Sequence, residues 1–267
     1  MLKNEFPALK SMFLRADAVR GTDRLRSQFT LALESLAVEI ATGHCSAILD
    51  HFDDTEIVHL RTTYFDGIFF RRFRPSNDRW ARMTISTFTN PEVSVDLRFD
   101  SESGARLDIT HVGRAMLQIL PHATQFAHVT ELVLYEAAVE KHGLHRLPDL
   151  PSVVTLVILV RPSTNRPPGS VRFFAFDRGD EPLVKCAGLL NVEIVCPLAG
   201  GPLLLDEHDL MRFLTRDIKY DTNKLISLSL VGVDLASQSA YSWGTVAEGI
   251  DRRSTSSIPG LNRIINT

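Results

Sequence analysis

Leu9-Lys10-Ser11-Met12-Phe13-Leu14 spaces its apolar side chains as L-x-x-L-x-L, and the reading of the whole chain turns on that spacing. It returns at Leu33/Leu36/Val38, Ile57/Leu60/Thr62, Trp80/Met83/Ile85 and Gly104/Leu107/Ile109. It continues at Val129/Leu132/Leu134, Val153/Leu156/Ile158, Leu189/Val192/Ile194 and Leu225/Leu228/Leu230. The starts are 24, 24, 23, 24, 25, 24, 36 and 36 residues apart, and of 27 apolar slots only Thr62 and Gly104 are not apolar. A single match is common by chance in an apolar chain. Nine matches, six consecutive steps of them near 24, read as an internal repeat. The competing fold is an ordinary α/β domain with buried strands.

The second and third apolar residues of each match lie two apart, which puts them on one face of a strand, with the residues between them on the other. One such strand cannot bury its apolar face alone. Stacked in parallel, with a return segment after each, nine of them form a continuous core. The expected fold is therefore α/β: a leucine-rich-repeat-like solenoid over residues 1–235, with a curved parallel sheet of about nine strands and with short helices and loops on the convex side. Residues 236–267, rich in Ser and carrying Pro259-Gly260, fit no repeat and are expected as a C-terminal cap or partly flexible tail.

Several returns have helical patterning. His111 to Leu120 places Val112, Ala115, Met116, Ile119 and Leu120 at helical spacing ahead of Pro121. Asp206 to Lys219 begins with a capping Asp and carries Leu210, Phe213, Leu214 and Ile218 as an apolar stripe. Arg161 to Pro168 is a Pro-rich loop. Val93 to Phe99 alternates, and is expected as an extra strand on the convex side, hairpinned through Asp100 to Gly104.

Composition fits this picture. The chain has 267 residues, 29 Lys and Arg against 32 Asp and Glu, 44% hydrophobic and 23% charged residues. These values exclude a disordered chain, a collagen and a strongly basic nucleic-acid binder. No apolar run reaches the roughly 18 residues of a membrane span, and the N-terminus lacks a signal-peptide core. Cys45, Cys186 and Cys196 are too scattered for a disulfide framework. A reduced intracellular protein, cytoplasmic or nuclear, is the expectation, with no membrane partner and no nucleic-acid partner.

Catalytic motifs are missing: there is no G-x-S-x-G, no phosphate-binding glycine loop and no H-E-x-x-H. His142 and His145 have no Cys or acidic partners at ligand spacing, so no metal and no cofactor are expected. Asp206, Glu207, His208 and Asp209 read as helix capping. Arg71, Arg72, Arg74, Arg79 and Arg82 interleave with Phe69, Phe70, Phe73 and Trp80. That mixture suits phosphate or base stacking, but equally a solvated loop over core Phe residues, and the second is favoured. The chain is read as a non-enzyme, the alternative being an α/β hydrolase-like enzyme whose strands imitate repeats.

FPALKSMFL (6–14), LPDLPSVVTLVIL (147–159) and PLLLDEHDLMRFL (202–214) leading into LISLSLVGVDL (225–235) give the chain a further likeness. It resembles the leucine-rich-repeat region of fungal F-box and F-box-like proteins, over about residues 5–235. The resemblance implies substrate recognition for a cullin-type ubiquitin ligase, with the ligase adaptor as partner only if an F-box lies upstream. The F-box helix of L-P-x-E-I type is not seen, since the first repeat starts within the first ten residues; a fragment, or loss of that module, is expected. The Asn or Cys of regular repeats is replaced by residues such as Asp17, Ala41, Val112 and Val233, so regular turns are not implied.

Concave solenoid faces are extended binding surfaces. The outward strand positions there supply Arg15, His59, Arg61, Arg82 and Arg106 toward the N-terminus. Toward the C-terminus they supply Val133, Tyr135, Val157 and Leu159, flanked by Glu131 and Glu193. The apolar strip is the expected centre of contact with another protein, and the Arg column is expected to steer an acidic segment. A stand-alone scaffold without a ligase link is the other form of this reading.

Overall fold

The computed structural model describes residues 9–18, 33–42, 57–63, 79–86, 95–112, 124–138, 147, 149–160, 182–197, 202–235 and 243–253. Over these the chain is α/β and mostly strand. The long strands are β1 (Ser11–Ala18), β2 (Leu33–Thr42), β3 (Ile57–Thr62), β4 (Trp80–Ser86), β5 (Val95–Ser101) and β6 (Arg106–Val112). They continue with β7 (Glu131–Tyr135), β8 (Thr155–Leu159), β10 (Asn191–Val195), β13 (Leu225–Val231) and β15 (Ala247–Arg253). Short strands β9 (Val184–Lys185), β11 (Leu203–Leu205), β12 (Ile218–Lys219) and β14 (Val233–Leu235) lie between them.

The long strands form one open mixed sheet in the order β1-β2-β3-β6-β5-β4-β7-β8-β10-β13-β15. All nine patterned stretches are in it and run the same way. Register follows the repeat step: Met12 stands opposite Leu36, Leu36 opposite Leu60, Leu132 opposite Leu156, Leu156 opposite Val192 and Val192 opposite Leu228. The slot residues share one face, and Leu36, Leu60, Met83, Leu107, Leu132, Leu156, Val192 and Leu228 are each 0% exposed. The two polar exceptions have different causes. Thr62 is simply buried in its slot, at 0%. Gly104 is not in a strand: with φ +94 it turns the chain between β5 and β6.

Two expectations about this sheet need correction. The alternating residues 93–99 are expected outside it, on the convex side. Instead β5 lies within it, antiparallel to β4 and β6, so the sheet is mixed and eleven-stranded rather than parallel and nine-stranded. The cause is visible in the strand: Val95, Leu97 and Phe99 are buried on the core face, where Phe99 stacks on Phe126 at 5.4 Å and lies 5.9 Å from the Trp80 ring. Secondly, the strands do not all follow sequence order. β6 rather than β4 neighbours β3, and β4 neighbours β7. Within the segment expected as cap or tail, Ala247–Arg253 forms β15, which pairs in parallel with β13 at the end of the sheet.

Two helical expectations also change. His111 and Val112 end β6 rather than start a helix, and the rest of that stretch lies outside the described residues. After Asp206, helix α1 (Glu207–Arg212) passes into a π-helical turn, Phe213–Asp217, and then into β12. Asp206 caps α1 as expected, its carboxylate accepting from the backbone N–H of His208 at 2.8 Å and of Asp209 at 3.1 Å. Leu210, Phe213, Leu214 and Ile218 are all buried, although Ile218 belongs to a strand. The Pro-rich loop at 161–168 and the His142/His145 pair lie outside the described residues.

Candidate partner-binding face

The sheet carries every residue singled out for binding on the face opposite the slot residues. Register sets them side by side. Phe13, Ala37, Arg61 and Asp108 form one row across β1, β2, β3 and β6, with Ser11, Ser35, His59 and Arg106 in the row beside it. Farther along, Arg82 stands opposite Glu131 and Glu131 opposite Thr155; Val133 stands opposite Val157 and Tyr135 opposite Leu159. Glu193 neighbours Val157 from β10. β5 adds Arg98 and Asp100 between Asp108 and Arg82, which sequence reading missed by putting that strand elsewhere. The alternation of 93–99 was the available signal, since it already separated Arg98 from Leu97 and Phe99.

The Arg column is not a free positive stripe. Arg82 Nη2 donates to Glu131 Oε2 at 2.8 Å, and Arg106 Nε donates to Asp100 Oδ1 at 2.8 Å. Asp108 accepts from two sides: His59 Nε2 meets its Oδ2 at 2.8 Å, and Arg98 Nε meets its Oδ1 at 2.6 Å. Burial of Asp108 pushes its carboxyl up, but the hydrogen bonds and charges of His59 and Arg98 outweigh this and leave it below the usual carboxylate range. The reversed order of β4 and β6 is what brings His59 to Asp108 and Arg82 to Glu131, whereas the two pairs between β5 and β6 follow from the hairpin itself. In sequence order His59 would lie beside Arg82, and Arg106 beside Glu131.

Arg61 stands apart. It is partly exposed, it makes no ion pair among the described residues, and its Nε is buried without a hydrogen-bond acceptor. Asp108, its neighbour in register, already has a partner on each oxygen. Arg15 is exposed and stands opposite Glu39 in the next row.

The apolar strip is buried rather than presented. Val133, Tyr135, Val157 and Leu159 are 3%, 5%, 3% and 2% exposed. What the face offers to solvent is the β1–β3 end, the part-exposed pairs of Arg82 and Arg106, and the row holding Thr155, Asn191 and Ser227, where Ser227 Oγ donates to Asn191 Oδ1 at 2.8 Å. Phe13, 59% exposed, is the large apolar side chain of this face that reaches solvent among the described residues.

The other candidates resolve structurally. Of the Arg/aromatic stretch 69–82, Trp80 is core and Arg82 is paired, while 69–78 lie outside the described residues. Glu207, in the acidic run, is buried and accepts from the Trp243 indole N–H at 2.5 Å. Burial, with the Asp149 carboxylate nearby, pushes the Cys186 thiol up to about 12, so it carries no thiolate at neutral pH. No cluster of three or more His, Cys, Asp or Glu suited to a metal occurs among the described residues, and no helix there is long and apolar enough to cross a membrane. No protein-family model, no curated protein and no solved structure matches the chain.

Proposed function

We propose that this chain is a leucine-rich-repeat-like scaffold that binds another protein through the polar face of its sheet. The observation that carries the reading is the register: strands 24 or 36 residues apart pair slot for slot, so slot side chains stack on one face, while the other sets polar rows beside the buried strip of Val133, Tyr135, Val157 and Leu159. The same stacking recurs in the backbone. Thr130 donates to Ala81 O, Val154 to Thr130 O, Leu190 to Val154 O and Ile226 to Leu190 O, the same position of each unit every time. The returns echo it, with Leu147 N–H donating to Leu183 O and Leu183 N–H to Asp217 O. Such stacked units give extended surfaces rather than pockets, and suit recognition by complementarity.

The more specific form, from the resemblance to F-box proteins, is substrate recognition for a ubiquitin ligase inside the cell, in cytoplasm or nucleus. That form requires an F-box joined to this chain. Photo-crosslinking residues placed singly at Ser35, Thr155 and Ser227 test the scaffold reading. They should capture one defined protein from extract, while the same residue at Thr215 or Lys219 on the return side should not. Equal capture from both sides, or none, would retire it. Co-purification of the ligase adaptor with the product of the complete gene tests the narrower form, which fails if no adaptor is bound.

A further inference from the structure

We infer that Arg61 and Phe13 form a recognition point for an extended acidic segment of a partner protein, one in which a carboxylate follows an apolar side chain two residues on. The inference rests on the scaffold reading and deepens it. Three observations carry it. Arg61 is a partly exposed cation that pairs with no carboxylate among the described residues: its Nε is unpartnered, and the neighbouring Asp108 is held by His59 and Arg98. A guanidinium without an acceptor is matched best by a carboxylate, which can reach its terminal nitrogens from solvent. Second, Phe13 is 59% exposed on the same row of the same face. Third, the residue between them, in register with both, is Ala37, so no side chain larger than a methyl group stands between ring and guanidinium.

Adjacent strands lie about 4.8 Å apart, which puts the Phe13 and Arg61 backbones roughly 10 Å apart across β2. Residues two apart in an extended peptide are about 7 Å apart and point the same way. The reach of a Glu side chain and of Arg61 closes the difference. The flanking Ser11 and Ser35 are small and polar, and His59, which continues their row, is held against Asp108. Arg15 and Glu39, opposite each other in the next row, offset one another and leave Arg61 as the net charge of the patch.

The probe is a short Gly/Ser peptide with one Leu-Ser-Glu core, titrated into the intact chain and followed through the arginine Nε–H signals by NMR. The Arg61 signal, identified by its loss in Arg61→Gln, should move on titration. Changing the peptide's Glu to Gln, or Arg61 to Gln, should weaken binding by about tenfold, the scale of one charge-assisted pair. Phe13→Ser should weaken it by a smaller factor. Thr215→Ala, on the return side, should leave it unchanged. Binding that survives Arg61→Gln overturns the recognition point while leaving the scaffold reading in place. Absence of saturable binding, or equal affinity for the Glu and Gln peptides, overturns it as well; the crosslinking experiment, which needs neither Arg61 nor the peptide, decides the scaffold reading independently.

Discussion

Leu132, Leu156, Val192 and Leu228 occupy the same slot on four neighbouring strands, each sealed from solvent by the next. Truncating the middle of such a row leaves a void that its neighbours, locked in register, cannot fill. Leu156→Ala should lower the unfolding free energy by about 2–5 kcal/mol, read from the shift in urea midpoint at unchanged slope. On the opposite face the fine structure is electrostatic. Asp108 has its folded-state pKa below its unfolded one, so its stabilising contribution is complete above the ordinary carboxylate range and is lost as pH falls through the depressed folded value. Urea midpoints measured from neutral pH into acid should show this loss, and Asp108→Asn should remove that part of the slope. An unchanged slope in the variant would assign it to other carboxylates. These partners were not legible in the sequence, because Asp108 meets His59 across 49 residues and Arg98 across a hairpin that spacing alone did not place.

β5 shows how far pattern reading goes at the level of an element. Its alternation revealed a strand and the turn after it, but a period of two does not say which edge the strand joins or in which direction. Burial of Val95, Leu97 and Phe99 decides the matter in favour of the main sheet. Gly104 belongs to the same lesson. In the repeat grid it was a failed apolar slot; in the fold it is the hairpin's positive-φ residue, with nothing within 4 Å of where a Cβ would stand. Gly104→Ala should therefore destabilise through backbone strain alone, by about 1 kcal/mol, without disturbing packing. Thermal unfolding checks the size, and an unchanged midpoint would show that the turn relaxes. The helix after Asp206 was readable from cap and stripe, yet its last turn is not α-helical, since Ile218 pairs with Val184 and draws the chain into strand.

Across the whole molecule the nine-fold spacing was enough to give one sheet, its direction and its register, because a parallel ladder between identical patterns has one alignment that buries every slot. It did not give neighbour order around β4 to β6, which depends on cross-strand contacts, nor β15, which lacks the pattern. β1 and β15 end the sheet, each paired on one side among the described residues. Amide exchange should be slowest in β7, β8 and β10, and faster by orders of magnitude in β1 and β15, as mass spectrometry of deuterated peptides would read. Uniform protection would mean that the two ends are covered.

Register is indifferent to the length of chain between strands: β7 meets β8 after 24 residues and β8 meets β10 after 36, with the slots aligned in both. Lengthening a closed loop costs little, about 0.6 kcal/mol for each doubling. The sheet and the segments between its strands are thus free to change at different rates. Insertions can accumulate in those segments while the spacing of side chains on the sheet stays as it was.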